Sequence, residues 1–319
     1  MSDSRLDRWV HEPHLRFDLR SSVAIAASAS AGAKRRAVDA LQSGGGRGAL
    51  AQRALAVPFA RLPPSMAARL PRVSRTPDAG LAIAPDAARS VLTHAVSVLD
   101  ESVSDVVWLL PPPSDGARVS ALLLDGSAPC AHLRVTDLVP VDRPNPTTTT
   151  GRRTGIEWPV MLDVWEHDGV VVELTTAVDL GATSPTDLSL EALEDLIADL
   201  QDSLGPPRPG SVAAHGDLTP WNLRTASDGR RALFDWEHRV YGPDGIDLVR
   251  FIVAGGDGPA RFAELPADRR RHLRPAVEYL VTLADEREAT RRHEAVSEWK
   301  SADIAAERAA LEAILDLAR

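Results

Sequence analysis

The stretch that decides the fold reads His215-Gly-Asp-Leu-Thr-Pro-Trp-Asn222, and Leu233-Phe-Asp-Trp-Glu237 follows it closely. Between them, the polar residues 227–230 separate two short segments that contain apolar residues. This pattern is typical of a β-hairpin. Such a hairpin returns Asp235 to the level of Asn222, so we expect both side chains to face one cleft.

These residues carry the chemical groups that phosphoryl transfer needs. Asp217 supplies a carboxylate that can orient and deprotonate a hydroxyl, while Asn222 and Asp235 supply an amide oxygen and a carboxylate for Mg²⁺. Magnesium takes hard oxygen ligands and only a few of them from protein. Taken singly, Asp217 and Asn222 are ordinary turn residues and Asp235 an ordinary strand-end cap. Their combination at this spacing favours the catalytic interpretation.

A third motif, Gly242-Pro-Asp-Gly-Ile-Asp-Leu248, completes an ordered set across residues 213–251. Together the three motifs resemble the aminoglycoside phosphotransferase family of small-molecule kinases. The resemblance implies an α+β, two-lobed protein-kinase-like fold with an antiparallel-sheet N-terminal lobe and a mainly helical C-terminal lobe. It also implies ATP (or GTP) and Mg²⁺ as cofactors. The expected acceptor is a hydroxyl of a small molecule, such as a sugar, an aminoglycoside-like compound or another natural product.

The resemblance assigns supporting residues as well. It implies that His215 packs beneath the catalytic loop and hydrogen-bonds backbone, and that Asp247 holds this loop from below at the start of a helix. Glu237 is either an additional residue of the metal site or simply exposed. Trp221 and Trp236 flank the metal ligands, and we expect core packing of both rather than stacking on substrate.

The predicted small lobe departs from the kinase pattern at its phosphate-binding position. A kinase-like site usually has a Lys on the third strand, paired with a Glu. The matching strand here carries Arg134, whose planar guanidinium binds phosphate with a different geometry. Glu157 and Glu173 are the candidates for its partner. The phosphate-covering loop corresponds to residues 111–117, which contain one glycine.

Residues 139–151 are predicted to contain no helix, because they combine several prolines with four successive threonines. Two interpretations of the threonine run and the Arg152-Arg153 pair that follows it stay open. They form either a mobile loop that orders over substrate or a plainly disordered loop.

We expect two domains. Residues 1–178 form the small lobe with an N-terminal helical extension, and residues 179–319 form the helical lobe that carries the catalytic loop. Five short strands, predicted at 106–110, 119–124, 130–135, 160–165 and 170–176, make one antiparallel sheet. In the second domain, leucines at three-to-four spacing predict a helix capped by Ser189. The remainder, roughly residues 266–319, is also predicted to be helical.

The composition excludes several classes of protein. The 319 residues are 44% hydrophobic and 25% charged, which is ordinary for a globular protein with room for two lobes. A net charge of −9 argues against a nucleic-acid-binding surface. The single cysteine, Cys130, excludes an internal disulfide, and no apolar run approaches the length of a membrane span. We expect a cytoplasmic protein without membrane association; its oligomeric state stays open.

Three functions remain open. The leading one is ATP- and Mg²⁺-dependent phosphorylation of a small-molecule hydroxyl. A second is transfer of a nucleotidyl group by the same fold. A third is a catalytically impaired binding or regulatory protein, which Arg134 in place of Lys favours and the complete set of Asp217, Asn222 and Asp235 opposes.

Overall fold

The computed structural model describes residues 3–18, 22–39, 59, 61–67, 69–70, 73–76, 81, 83–99, 103–110, 119–136, 143–180, 183–226, 228–291 and 298–319. The chain divides into two compact units. The first comprises Met1–Pro140 and Met161–Gly181, and the second comprises Val141–Val160 and Ala182–Arg319. The part expected to contain the phosphate-covering loop, residues 111–117, lies outside the described residues.

The first unit is built on an eight-stranded antiparallel sheet with the strand order β3-β1-β2-β4-β5-β6-β8-β7. Its elements in chain order are α1 (Asp3–Val10), β1 (His14–Asp18), β2 (Ser22–Ala26), α2 (Ala31–Asp39), α3 (Pro64–Ala67), β3 (Val73–Thr76), α4 (Pro85–Leu99), β4 (Asp105–Leu110), β5 (Val119–Asp125), β6 (Ala128–Thr136), β7 (Met161–His167) and β8 (Val170–Thr176). The five strands predicted between residues 106 and 176 are therefore confirmed as β4 to β8.

Both faces of this sheet carry residues buried in apolar cores, and alternation along each strand divides its residues between them. On β6, Leu133 and Val135 are fully buried and pack in the same cluster as Leu92 of α4. Arg134, between the two, points to the opposite face because successive strand residues alternate. A two-residue turn joins β7 to β8 at Asp168-Gly169, where both residues have positive φ (49° and 80°). Such turns match the twist of a hairpin.

The prediction of a merely helical extension was incomplete, because the first 90 residues also supply β1, β2 and β3. These strands lack the usual signature of strands. β2 is rich in alanine, whose preference for strands is weak, and β1 and β3 are short and carry charged residues. They are held by pairing with distant segments, β2 with β4 and β1 with β3. Local sequence does not report such pairing.

The second unit is mainly helical and carries two small antiparallel sheets, β10-β13 and β12-β11-β9. Its elements are β9 (Thr183–Pro185), α5 (Leu190–Leu204), β10 (Val212–Ala214), β11 (Leu223–Ala226), β12 (Arg231–Leu233), a 3₁₀ turn (Trp236–His238), β13 (Val240–Gly242), α6 (Ile246–Ala254), α7 (Gly258–Ala263), α8 (Ala267–Arg291) and α9 (Glu298–Leu317). Among the described residues, no helix combines the length and apolar character that crossing a membrane requires.

The helix predicted after Ser189 is confirmed as α5. The Ser189 hydroxyl accepts a hydrogen bond from the Ala192 amide at 3.3 Å, as an N-cap residue does. The leucines at three-to-four spacing are buried, including Leu193, Leu196 and Leu200. They join the core of the second unit, which also contains the interior residues of α6 and α8.

The threonine run and Arg153 pack against α5, so the interpretation of a plainly disordered loop was wrong, while ordering over substrate stays a prediction. We call residues 143–160 the inserted segment. The Thr147 hydroxyl donates to the carbonyl of Ser203 on α5 at 2.8 Å. Asp199 of α5 accepts hydrogen bonds from the backbone amides of Arg153 and Thr154 at 3.0–3.1 Å. Trp158 is fully buried in the core of the second unit.

The expected division at residue 178 stays a prediction. In the structure the chain leaves the first unit at Gly181, three residues beyond the expected division, and the inserted segment clusters with the second unit. The sequence places this segment between two strands of the first unit, β6 and β7.

Candidate active site

The residues of the first motif form a loop between β10 and β11 in the second unit. Its far end is a tight turn in which the Asn222 and Leu223 amides both donate to the carbonyl of Thr219 at 3.1 Å. The carbonyl of Pro220 in turn accepts the Thr186 amide at 3.0 Å. The loop is therefore anchored at its tip as well as at the two strands.

The start of the loop is held by a buried carboxylate. Asp247, in the first turn of α6, accepts the backbone amides of His215 at 2.8 Å and Gly216 at 2.9 Å. His215 is fully buried; its Nε2 lies 3.0 Å from the carbonyl of Phe234, and its Nδ1 accepts the Asp217 amide at 3.3 Å. This geometry is compatible with the supporting roles expected for both residues, which stay predictions.

Burial moves the pKa values of these two side chains in opposite directions. Burial lowers the pKa of His215 to about 4, although nearby Asp217 acts to raise it. Burial raises the pKa of Asp247 to about 6, against the hydrogen bonds from the His215 and Gly216 amides. At neutral pH the structure therefore contains a neutral imidazole and an ionised, buried carboxylate that carries two amide donors.

The two shifts should oppose each other in the pH dependence of stability. Between pH 4 and 6 the unfolded chain protonates His215 and the folded chain does not, so this group raises the free energy of unfolding as pH rises. Asp247 has a raised folded pKa, so its contribution falls over the same interval. We expect the two contributions to cancel nearly completely in the wild type.

The Asp247→Asn variant should lose this cancellation. Its free energy of unfolding should rise with pH by about 1.4 kcal/mol per pH unit between pH 4 and 6 relative to the wild type, because only His215 then acts. His215→Gln, the matched variant, should show a slope of opposite sign. Denaturant unfolding at a series of pH values measures both slopes. If the free energy of unfolding varied with pH in the same way in all three proteins, the pKa shifts assigned to His215 and Asp247 would be wrong.

Asp217 and Asn222 are in direct contact. Asn222 Nδ2 donates to Asp217 Oδ2 and to the Asp217 carbonyl, both at 2.9 Å. Because the amide nitrogen is committed to Asp217, the amide oxygen of Asn222 is the atom that remains for a metal. The other oxygen of Asp217, Oδ1, accepts Arg250 Nε at 2.9 Å and Nη2 at 2.7 Å.

The predicted hairpin is confirmed as β11 and β12, and it brings the third candidate residue close to the second. Leu223 pairs with Leu233, and the Phe234 amide donates to the Asn222 carbonyl at 2.9 Å. Asp235 is thus one residue beyond the partner of Asn222. The inserted segment supports this arrangement, because the Leu233 amide donates to the carbonyl of Glu157 at 2.8 Å.

Asp235 has an unusual backbone. Its φ of 65° and ψ of 57° lie in the left-handed region, and its side chain makes no capping hydrogen bond to the 3₁₀ turn that follows. Residues other than glycine in this conformation cost free energy and concentrate at functional sites. The side chain is exposed. This backbone supports a functional assignment for Asp235.

Residues 172–280, about a third of the chain, match the family model described as the phosphotransferase enzyme family, APH. The resemblance to the aminoglycoside phosphotransferase family is confirmed. The matched segment includes the loop with Asp217 and Asn222, the hairpin that ends at Asp235, and the start of α6 with Asp247. No curated protein matches the chain. No solved structure matches it either.

The aromatic neighbours of this phosphotransferase motif differ from each other. Trp236 is buried, donates to the Leu233 carbonyl at 3.1 Å and contacts the His215 ring edge-on at 4.7 Å, as expected for core packing. Trp221 is 55% exposed, so the expectation of core packing was wrong for this residue. Trp221 lies at the tip of the turn. The residues on either side of it, Pro220 and Asn222, are held by backbone hydrogen bonds, and the indole stays outside the core.

Of the other candidate residues, Arg134 and Glu173 belong to the first unit. Arg134 is on β6 in the first unit, directly opposite Glu173 on β8, and their charged groups approach to 3.8 Å. The other candidate partner, Glu157, belongs to the second unit and lies 3.9 Å from Arg230. Glu237 is in the 3₁₀ turn, but its side chain lies outside what the structure describes.

The donor set suits magnesium better than a transition metal. In the part of the chain that the structure describes, no three His, Cys, Asp or Glu side chains form a metal cluster. Asn222 and Asp235 offer one amide and one carboxylate oxygen. Magnesium is commonly held by one or two such ligands, together with water and substrate phosphates. The donor types of these two residues therefore fit magnesium.

Sequence reasoning missed Arg250. This residue contacts Asp217 directly, and its other terminal nitrogen, Nη1, pairs with Glu307 of α9. One signal for it was present in the sequence: Arg250 follows Asp247 by three positions on the predicted helix. Residues at this spacing lie on the same side of a helix.

Proposed function

We propose that this protein is an ATP (or GTP)- and Mg²⁺-dependent phosphotransferase that acts on a hydroxyl group of a small molecule. The observation that carries the proposal is the contact between Asp217 and Asn222, with Asp235 returned to the same end of the hairpin by the Phe234–Asn222 hydrogen bond. The family match across residues 172–280 supports a phosphotransferase. The acceptor class, the nucleotide and the metal are parts of the proposal.

In this reaction Asp217 orients the acceptor hydroxyl and takes its proton. A carboxylate suits the task because phosphoryl transfer passes through a loose transition state that needs little base strength. Asn222 and Asp235 hold the metal, which when bound neutralises charge on the transferred phosphoryl group. The contribution of the protein is thus positioning and charge stabilisation.

We extend the proposal to the fold and to Arg134. An antiparallel sheet in one unit and helices in the other are the parts that a protein-kinase-like fold requires. Arg134 is assigned to the nucleotide phosphates, and its pairing with Glu173 parallels the Lys–Glu pair of kinases. Arginine binds phosphate through a planar fork, so this position tolerates phosphate contact without a lysine.

The exposed indole of Trp221 suggests which acceptors to test first. It lies between the proposed base and a proposed metal ligand in the sequence, and it is the most exposed large apolar side chain among the described residues. Aromatic faces bind apolar rings and cations. Acceptors with a sugar ring or an amine-bearing ring therefore head the list.

The direct test is a screen of small-molecule hydroxyl compounds with labelled nucleotide and Mg²⁺, read by mass spectrometry. The expected product has gained one phosphoryl group. A product that has gained a nucleotidyl group would replace the proposal with the second function considered above. The absence of any product, together with no change in melting temperature on adding Mg²⁺-nucleotide, would contradict it.

Asp235→Asn should weaken Mg²⁺-dependent nucleotide binding. Asparagine tolerates the left-handed backbone but removes the charge, so the change isolates the metal contact from the conformation. We expect at least about tenfold weaker binding, in line with changes around metal ligands. The measurement is the rise in melting temperature with Mg²⁺-nucleotide concentration, since a ligand that binds only the folded state must raise it.

Asp228→Asn is the matched control for that experiment. Asp228 lies at the tip of the same hairpin, is exposed and, among the residues that the structure describes, bonds to Arg230 in its own turn. Its replacement should leave the ligand-induced rise unchanged. An equal loss in both variants would mean that Asp235 acts through the hairpin and does not contact the metal.

A further inference from the structure

Arg250 holds the proposed base in one orientation. Its Nε and Nη2 both donate to Asp217 Oδ1, at 2.9 and 2.7 Å, and the two side chains are only 11% and 15% exposed. A forked, charge-assisted contact of this kind restricts the rotation of the carboxylate about its side-chain bonds. The orientation of Asp217 is therefore set by α6, on which Arg250 lies.

The hydrogen bonds to Asp217 single out one oxygen for the reaction. A carboxylate offers about four lone-pair positions. Arg250 occupies two of them on Oδ1, and Asn222 Nδ2 occupies one on Oδ2 at 2.9 Å. With respect to the described part of the chain, the remaining position is on Oδ2. An acceptor hydroxyl that donates to Asp217 without displacing Arg250 or Asn222 must do so there.

The same helix fixes the backbone and the side chain of the catalytic loop. Asp247 accepts the amides of His215 and Gly216, and Arg250, three residues later, binds the carboxylate of Asp217. Three consecutive residues of the loop are thus tied to one face of α6. A rigid element that positions a reacting group in this way is what precise catalytic geometry requires.

Two carboxylates, those of Asp217 and Glu307, balance the positive charge of Arg250. Burial opposes the charge, but the carboxylates of Asp217 and Glu307 outweigh burial and raise the pKa of Arg250 above its usual value. Arg250 Nη1 pairs with Glu307, which ties the guanidinium to α9. Because Arg250 has all of its terminal nitrogens engaged by carboxylates, it is not placed to bind substrate itself.

We propose that Arg250 is a positioning residue for phosphoryl transfer, which orients Asp217 so that its Oδ2 receives the proton of the acceptor hydroxyl. The proposal rests on the proposed function. In the reaction, the hydroxyl oxygen forms its bond to the γ-phosphorus as the bond to the nucleoside diphosphate breaks. The hydroxyl proton passes to Oδ2 of Asp217. Arg250 keeps its contacts with Oδ1 throughout.

Arg250→Lys tests this role. Lysine keeps the positive charge between two carboxylates, so the fold should survive, but it cannot make the forked contact. We expect kcat to fall by about 10- to 100-fold, since small misplacements of reacting groups have effects of this size. The KM for nucleotide and the rise in melting temperature with Mg²⁺-nucleotide should stay within about twofold of the wild type, because Arg250 contacts neither ligand of the metal.

Arg308→Lys is the matched control. Arg308 lies on α9, next to Glu307, and its Nη1 donates to Glu288 at 3.1 Å. It resembles Arg250 in pairing with carboxylates but does not contact Asp217. Its replacement should affect stability alone and leave kcat unchanged. An equal fall in kcat for both variants would overturn the positioning role, since a loss of helix packing would then explain both.

Crystal structures of the wild type and Arg250→Lys give a readout that does not depend on turnover. The carboxylate of Asp217 should rotate in the variant and stay in place in Arg308→Lys. An unmoved Asp217, or full kcat in Arg250→Lys, would overturn the inference while leaving the proposed function intact. A wild-type protein without turnover on any acceptor would overturn the proposed function, and this inference with it.

Discussion

Replacing Asp217 with asparagine is expected to lower kcat by about 10²- to 10⁴-fold, the usual contribution of a positioned general base. The amide has nearly the same shape and can still accept hydrogen bonds from Arg250 at the position of Oδ1. It cannot take a proton from the acceptor hydroxyl. The new NH₂ group replaces the Oδ2 that Asn222 contacts, but Asn222 Nδ2 keeps its hydrogen bond to the carbonyl of residue 217. Binding of Mg²⁺-nucleotide should therefore persist. Steady-state kinetics on the acceptor found in the screen, with melting curves in Mg²⁺-nucleotide, separate the two effects.

Asp244→Asn provides the comparison for this variant. Asp244 lies just before α6, is exposed and approaches His272 at 3.1 Å, away from the loop contacts of Asp217. Its replacement should leave kcat unchanged. Should Asp217→Asn turn over acceptor at the wild-type rate, the assignment of Asp217 as the base would have to be abandoned.

Replacing Gly216 with alanine is expected to cause the largest loss of stability, about 2–5 kcal/mol in the free energy of unfolding. Gly216 has a φ of 78°, which costs free energy for any residue with a Cβ. An added Cβ would also overlap the carbonyl of His238, whose carbon would lie 2.9 Å away. Denaturant unfolding measures the loss directly. Because Gly216 lies between His215 and Asp217, kcat should fall as well.

Gly229→Ala separates the cost of a positive φ from the cost of the overlap with His238. Gly229 has a similar φ of 86° at the tip of the β11–β12 hairpin, but a Cβ there would meet no atom of the described residues within 4 Å. It should lose only the conformational part, about 1–2 kcal/mol, and keep its activity. Equal losses at the two positions would show that the approach of His238 to Gly216 has no energetic consequence.

Much of the fold could be predicted because local pattern and tertiary structure agree. The leucines of α5, its Ser189 cap and the β11–β12 hairpin each follow from neighbours within a few residues. β1, β2 and β3 could not be found in this way, since their stability depends on pairing with segments far along the chain. The inserted segment was misjudged for a related reason. Its threonines and arginines look unstructured until Asp199 and Ser203 of α5 supply their partners.

The candidate site likewise has features that the local sequence predicts and features that depend on tertiary structure. The meeting of Asp217, Asn222 and the end of the hairpin follows from short-range spacing, and Asp247 and His215 follow from the motif. The left-handed backbone of Asp235 does not, because an aspartate adopts several conformations and the sequence does not select one. The contact with Arg250 depends on where α6 lies against the loop, and the exposure of Trp221 depends on which neighbours fail to cover it.

The inserted segment also limits how the protein can be divided into separately produced units. The chain passes from one unit to the other three times, after residues 140, 160 and 181. Ile156 and Trp158, both without exposed surface, fill the core of the helical unit although they precede two strands of the sheet unit in the sequence. Dividing the chain at a single position therefore does not yield a complete helical unit. Isolating the helical unit requires grafting this segment back by fusion or by reassembly from separate peptides.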